Sequence, residues 1–382
     1  MSAGAARFPL VTLAPWRRAV LKVGSSLLTE GGRLSERAAR GLAGFVQSAR
    51  SRGREVVLVS SGAVAAGRAQ LAHGTDSGHG LVLRQALAAL GQTRMMALWQ
   101  GLIAAPAAQV LLSHDDLRNR RRYLNARNTL QELLRLGAVP IVNENDTVAV
   151  EELKLGDNDN LAAIVAALVD ADLLLIASDV AGLFDAHPLH DAQAQPVPEV
   201  AAITPAILAM AGAAGSALGT GGMQTKLHAA QKAASSGIAT LIFDGADAAV
   251  LDQLAADRFR GTRFAAAGSR LAARKYWLRH APGAAAKVCV DAGAARALAG
   301  GASLLPGGIV AVQGEFARGD LVEIAAADGA PLARGLSQYS AAEVRRVLGR
   351  HTRDIEGLLG FSYGDSIVRR DDLVLLDESV AA

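Results

Sequence analysis

Short apolar runs rich in β-branched residues alternate with longer Ala- and Leu-rich stretches across the first two thirds of the chain, and few architectures accommodate that rhythm. Runs this apolar suit strands covered on both faces, and parallel strands need helical crossovers between them. The pattern predicts strands at Ala19–Val23, Glu55–Ser60, Gln109–Leu112, Ala138–Val142, Leu173–Ala177 and Thr240–Phe243. Between them, apolar positions at three- and four-residue spacing predict helices over Arg37–Arg50, Arg84–Leu102, Asn125–Leu136, Asn160–Val169 and Met223–Ser236. The fold class is therefore α/β, a mostly parallel sheet between helices. In such sheets ligands bind beyond the carboxyl ends of the strands, so chemistry is expected in the loops directly after them.

The alternation stops after about Arg263. Beyond it, short runs at Lys287–Asp291, Gly308–Gln313 and Leu321–Ile324 are punctuated by Gly300-Gly301, Gly307-Gly308 and Asp328-Gly329, which predicts a small mixed-β domain with tight turns. At 382 residues the chain exceeds one ordinary domain. The expected division is a first domain over 1–265, a linker over 266–285, a second domain over 286–370 and a tail over 371–382.

Hydrophobic residues at 51% and charged residues at 20% exclude a largely disordered chain. A formal charge of +3 is too small for a protein whose main task is neutralising a nucleic-acid backbone. The single cysteine, Cys289, forms no internal disulfide and no thiolate metal cage, which points to a reducing compartment. Pro9 and Pro15 interrupt the N-terminal stretch where a secretory signal would need an apolar run. The best membrane-span candidate, Leu161 to Ala177, is cut by Asp170 and Asp172 and reads as helix, turn and strand. A cytoplasmic location is the expectation.

Several segments carry the residue types that chemistry needs. Lys22 ends a strand that runs into Gly24-Ser25-Ser26; it either reaches a phosphate or extends from an edge strand to solvent. Ser60-Ser61-Gly62-Ala63 turns from strand to helix, suiting either an anion at free N–H groups or close helix–strand packing. The strand ending at Val142 breaks into Asn143-Glu144-Asn145-Asp146, more polar side chains than a capped turn requires. Gly156-Asp157-Asn158-Asp159-Asn160 opens the next helix, either as a cap or as a site for Mg²⁺ and a small polar substrate. Last comes Gly219-Thr220-Gly221-Gly222-Met223-Gln224-Thr225-Lys226, whose backbone donors and lysine suit nucleotide phosphates, with a surface loop as the alternative. Neither the P-loop nor the dinucleotide fingerprint spacing is present.

In this order, and joined by Leu124-Asn125-Ala126-Arg127-Asn128-Thr129, these segments closely resemble the amino-acid kinase family, in its branch acting on L-glutamate. Ser303-Leu304-Leu305-Pro306 and Arg318-Gly319-Asp320 resemble the PUA domain that ends many bacterial members. The resemblance implies ATP-dependent phosphorylation of the side-chain carboxylate of L-glutamate to L-glutamyl 5-phosphate, the first step of proline biosynthesis, with Mg²⁺. By position, Lys22 and Lys226 match the lysines facing the transferring phosphoryl group, and Asp159 matches the acidic residue that organises them. Ser61, Asp146 and Asn158 match the glutamate-binding residues. Thr220, Gly221, Gly222, Met223, Gln224 and Thr225 match the nucleotide loop, and Ser178-Asp179 a nucleotide-contacting pair usually seen as Thr-Asp. His187 stands before Pro188 where many relatives carry Asp, a departure bearing on local nucleotide contacts. The resemblance also implies proline feedback inhibition and a homo-oligomer.

Acetylglutamate, aspartate and carbamate are the competing acceptors within the family, and the PUA-like tail favours glutamate. A separate reading makes the C-terminal domain an RNA-binding module through Arg345, Arg346, Arg350 and Arg353. Such a run is ordinarily a solvated face, and the aromatic interleaving that base stacking requires is sparse.

Overall fold

The computed structural model describes residues 7–71, 80–148, 158–186, 188, 191, 193–212, 222–268 and 286–376. Contacts divide the chain into residues 1–118 with 126–269, and residues 119–125 with 270–382. In chain order the elements begin β1 (Val11–Thr12), β2 (Arg18–Val23), α1 (Ser25–Leu28), β3 (Thr29–Glu30), β4 (Arg33–Leu34) and α2 (Arg37–Ser51). They continue through β5 (Glu55–Ser60), α3 (Ala63–Arg68), α4 (Leu81–Leu102), β6 (Ala107–Leu112), α5 (His114–Arg118), α6 (Arg120–Arg135) and β7 (Val139–Glu144). Then follow α7 (Asn158–Leu168), β8 (Leu173–Ser178), β9 (Glu199–Val200), α8 (Pro205–Gly212) and α9 (Met223–Ser235). The last elements before the second unit are β10 (Ala239–Asp244), α10 (Ala248–Ala255), β11 (Arg258–Phe259) and β12 (Thr262–Phe264).

Eight strands form one sheet in the order β6-β7-β5-β2-β8-β10-β12-β9. The ladders from β6 to β10 are all parallel; β12 pairs antiparallel with β10, and β9 pairs parallel with β12. All six strands expected from the apolar runs are present, and the Leu161–Ala177 stretch divides into α7 and β8. β9 and β12 were not expected; at two and three residues they are too short to show a period.

β2 lies at the centre and is buried at every position. Alternation sends Ala19, Leu21 and Val23 into the core shared with Leu42, Phe45 and Val46 of α2 and Val250, Leu251 and Leu254 of α10. Val20 and Lys22 therefore face the opposite layer, where α7 and α9 pack on the sheet and on each other. A lysine near the carboxyl end of an apolar strand is thus directed at the first turns of two helices.

α3 and α4 cross with almost nothing between them. A Cβ at Gly67 would stand 1.9 Å from the Leu87 carbonyl oxygen, and one at Gly91 would stand 1.8 Å from that of Ala63. Gly91→Ala must push the helices apart, and overpacking of this kind costs about 1–3 kcal/mol. The urea midpoint is expected to fall accordingly, and an unchanged midpoint would show that the crossing can open without loss.

The second unit holds a five-stranded sheet in the order β14 (Ile309–Gln313), β13 (Lys287–Val290), β15 (Leu321–Ala326), β16 (Pro331–Ser337), β17 (Val368–Leu375). β13 and β15 are parallel and the other neighbours antiparallel, which makes it the mixed sheet expected. Its core is aliphatic around Tyr339, with Val288, Val290, Val322, Ile324 and Val344. Ser340 and Glu343 close a capping box on helix Ala341–Val347. Among the described residues, no helix is long and apolar enough to cross a membrane.

Candidate active site

Because β2, β5, β7, β8 and β10 run parallel, their carboxyl ends share one edge of the sheet. That edge carries Lys22 and Gly24, Ser60 and Ser61, Asn143 to Asp146, and Ser178 with Asp179. α7 and α9 start there too.

Asp159, in the first turn of α7, is completely buried. Its Oδ1 lies 2.6 Å from Lys22 Nζ, and its Oδ2 lies 3.4 Å from Lys226 Nζ and accepts from Thr225 Oγ1 at 3.0 Å. Both lysines are almost fully buried. Two ammonium groups share the Asp159 carboxylate in a poorly solvated place, where each charge acts on an incoming anion far more strongly than in water. Gly24 borders this charge: a Cβ there would stand 3.7 Å from Lys22 Nζ. Gly222 caps α9 without a side-chain hydrogen bond, so its first N–H groups are open to an acceptor.

A second cluster adjoins the first through α7. Asn158 Nδ2 donates to Ser61 Oγ at 2.8 Å and to Asn143 Oδ1 at 2.9 Å. Asn143, buried on β7, donates through Nδ2 to Gln92 Oε1 at 3.0 Å. Trp99 Nε1 donates to Ser60 Oγ at 2.8 Å, and the Ser61 amide donates to the Val23 carbonyl at 3.2 Å, tying β5 to β2.

Glu144 and Asp146 follow on the same edge. Burial raises both carboxyl groups above the usual range, the neighbouring Asp146 charge raises Glu144 further, and Arg84 on α4 opposes both shifts. Raised acids cost folding free energy at neutral pH, because the unfolded chain gives up their protons more readily; that cost disappears as pH falls through the folded-state pKa. Two carboxylates held at a stability cost suit a cationic ligand. Ser178 is buried and donates to Asp179 Oδ1 at 3.2 Å, while Asp179 is exposed.

The structure thus brings Lys22, Asp159, Thr225 and Lys226 into one cluster and Ser61 and Asn158 into the adjoining one, with Asp146, Ser178 and Asp179 on the same sheet edge. Met223 and Gln224 open α9. Thr220, Gly221, Gly156, Asp157 and His187 lie outside the described residues. Gln92, Arg84 and Trp99 went unnoticed in the sequence. Gln92 had one available signal, a polar residue on the stripe Ala88, Gly91, Gln92, Met95, Trp99 that α4 buries. In the second unit Arg345 is held by Glu315 at 2.6 Å and Arg346 donates to the Leu358 carbonyl, contacts that engage the basic run locally.

Residues 17–244 match the amino acid kinase family model, and residues 286–359 match the PUA domain model. The chain belongs to the amino acid kinase family. Among similar curated proteins, a glutamate 5-kinase of Xanthomonas axonopodis pv. citri (strain 306) is 62% identical over 363 residues, covering 94% of this chain and 100% of the relative. A glutamate 5-kinase of Xylella fastidiosa (strain M23) is 60% identical over 376 residues, covering 97% and 98% respectively. In this amino acid kinase the charged cluster and the amide cluster sit side by side at the sheet edge where the fold places ligands.

Proposed function

We propose that this amino acid kinase transfers the γ-phosphoryl group of ATP to the side-chain carboxylate of L-glutamate, forming L-glutamyl 5-phosphate, the first step of proline biosynthesis. The observation that carries the reading is the buried Lys22–Asp159–Lys226 cluster beside the Ser61–Asn158 pair. The names of the relatives supply the acceptor.

A glutamate side chain, with an unperturbed pKa near ~4.3, is already an anionic nucleophile at neutral pH. It needs no general base. The chemical difficulty is holding two anions together and stabilising the charge that spreads over the transferring group. Lys22 and Lys226 supply fixed positive charge on either side of Asp159, which keeps them aimed and apart. The open N–H groups of α9, together with Gly222 to Thr225, are proposed to receive the nucleotide phosphates, with Ser178 and Asp179 on the nucleotide side. Ser61, Asn158 and Asp146 are proposed to hold the amino-acid end of glutamate, with Asp146 facing its ammonium group. Among the described residues no group of three His, Cys, Asp or Glu side chains is placed to hold a metal ion, and both Asp159 oxygens are engaged by lysines. Mg²⁺ accordingly fits as an ion carried on the nucleotide phosphates, where it neutralises their charge.

Asp146→Asn is expected to raise the glutamate KM about 10–100-fold, as for loss of a charged hydrogen bond, with little change in kcat. Since a raised acid destabilises the fold at neutral pH, Tm should hold or rise. In the wild type, KM should climb as pH falls through the raised Asp146 pKa, at a higher pH than an ordinary aspartate would give. A flat profile and an unchanged variant KM would remove Asp146 from the site.

The deciding assay is ADP release by the purified protein with ATP, Mg²⁺ and L-glutamate, with hydroxylamine trapping of the acyl phosphate. N-acetylglutamate, aspartate and carbamate run in parallel. A glutamate-dependent hydroxamate supports the reading; turnover with another acceptor alone overturns the substrate. Proline inhibition and a homo-oligomer belong to the same reading and are tested by proline titration of this assay and by sedimentation. The proposed division places the kinase domain in 1–265 and the PUA-like domain in 286–370.

A further inference from the structure

Gln92 reaches the amide cluster from α4, and its surroundings are unusual. Its Oε1 accepts from Asn143 Nδ2, while its Nε2 is buried with no hydrogen-bond partner among the described residues. The residue is only 8% exposed. A buried unmet donor on an otherwise apolar stripe calls for a reason.

Direction supplies one. An amide has an acceptor end and a donor end, and Asn143 uses both, accepting from Asn158 and donating to Gln92. With Gln92 presenting oxygen, Asn143 must turn its NH₂ toward α4 and its oxygen toward Asn158. Asn158 turns its NH₂ to Asn143, to Ser61 and, at 3.3 Å, to the Ser60 carbonyl, which can only accept and so fixes this end of the chain. What remains for a ligand is an acceptor, Asn158 Oδ1, and a donor, the Ser61 hydroxyl proton. Turning Gln92 around would set its NH₂ against that of Asn143, a donor facing a donor, because the Ser60 carbonyl keeps Asn158, and through it Asn143, from turning as well. An acceptor beside a donor matches an ammonium group beside a carboxylate, as at the α-carbon of an amino acid.

We infer that Gln92 is a positioning residue whose oxygen completes the Asn143–Asn158–Ser61 chain in the direction the Ser60 carbonyl fixes, and so holds Asn158 and Ser61 ready for an α-amino acid as the acceptor substrate. The inference rests on the proposed glutamate phosphorylation. The backbone contact of α4 with α3, which follows Ser61, holds the two ends of the chain at a fixed separation.

The test compares Gln92→Met, which keeps length and loses the oxygen, with Gln92→Glu, which keeps an oxygen toward Asn143. Gln92→Met should raise the glutamate KM about tenfold or more, with kcat and the ATP KM within about threefold of wild type. Gln92→Glu should return the glutamate KM to within about threefold, and at the same glutamate concentration its Tm should rise more than that of Gln92→Met. An unchanged KM in Gln92→Met, equal losses for both substrates, or a Gln92→Glu variant as impaired as Gln92→Met overturns the inference. If Gln92→Met does not fold, a tenfold rise of KM in Gln92→Glu alone overturns it. Wild-type protein inactive with L-glutamate would bring down the functional reading as well, whereas active wild type with these variant results isolates the failure to Gln92.

Discussion

Asp159→Asn is expected to lower kcat about 10²–10⁴-fold while leaving both KM values within a few-fold of wild type. Asparagine has nearly the same shape and can still accept from Thr225, so the change removes charge and little else. Lys22 and Lys226 then lose, in a buried place, the carboxylate charge that they share. Breaking such a pair typically costs about 3–5 kcal/mol, which as barrier height is the range of rates above. Part of the loss should surface as a lower Tm, because the folded state must hold the same uncompensated charge. Steady-state kinetics alongside thermal unfolding separates the two, and kcat within tenfold of wild type would mean that Asp159 does not organise the lysines.

Lys226→Ala is expected to cost about 10²–10³ in kcat, the usual loss when one fixed electrostatic donor to a transition state is removed. Its ammonium lies farther from Asp159 than that of Lys22, 3.4 Å against 2.6 Å, and α9 presents it beside the helix start proposed to receive phosphates. An interaction made chiefly in the transition state lowers kcat and kcat/KM together. A change confined to KM would reassign Lys226 to ground-state binding. Stability should suffer less than in Asp159→Asn, since the Lys22–Asp159 pair survives.

Much of the framework was legible because both-sided burial writes long apolar runs into β2, β5, β7, β8 and β10, and one-sided burial writes a stripe into α2. β16 gave no such warning: Pro331-Leu332-Ala333-Arg334-Gly335-Leu336-Ser337 has neither alternation nor a continuous apolar run, and it is a strand because β15 and β17 flank it. At the site, glycine loops and isolated lysines stood out where they interrupt strands. Gly156 to Asn160 could be read as a cap or as a site from composition alone; what distinguishes Asp159 is complete burial between two lysines from distant strands and helices, a long-range property that local pattern does not encode. Gln92 was hidden for the same reason, since its partner lies 51 positions away on β7.

The crossing of α3 and α4 through bare backbone has a consequence for how the protein tolerates change over generations. Where helices rest on side chains, each conservative exchange in the core shifts their spacing by a few tenths of an ångström, and such shifts accumulate. At Gly67 and Gly91 the spacing is set by the peptide chain itself, which no mutation elsewhere can thicken or thin. The wall that carries Ser61 and Gln92 is therefore insulated from drift in the surrounding aliphatic core, and that core is free to vary while the amide chain keeps its geometry.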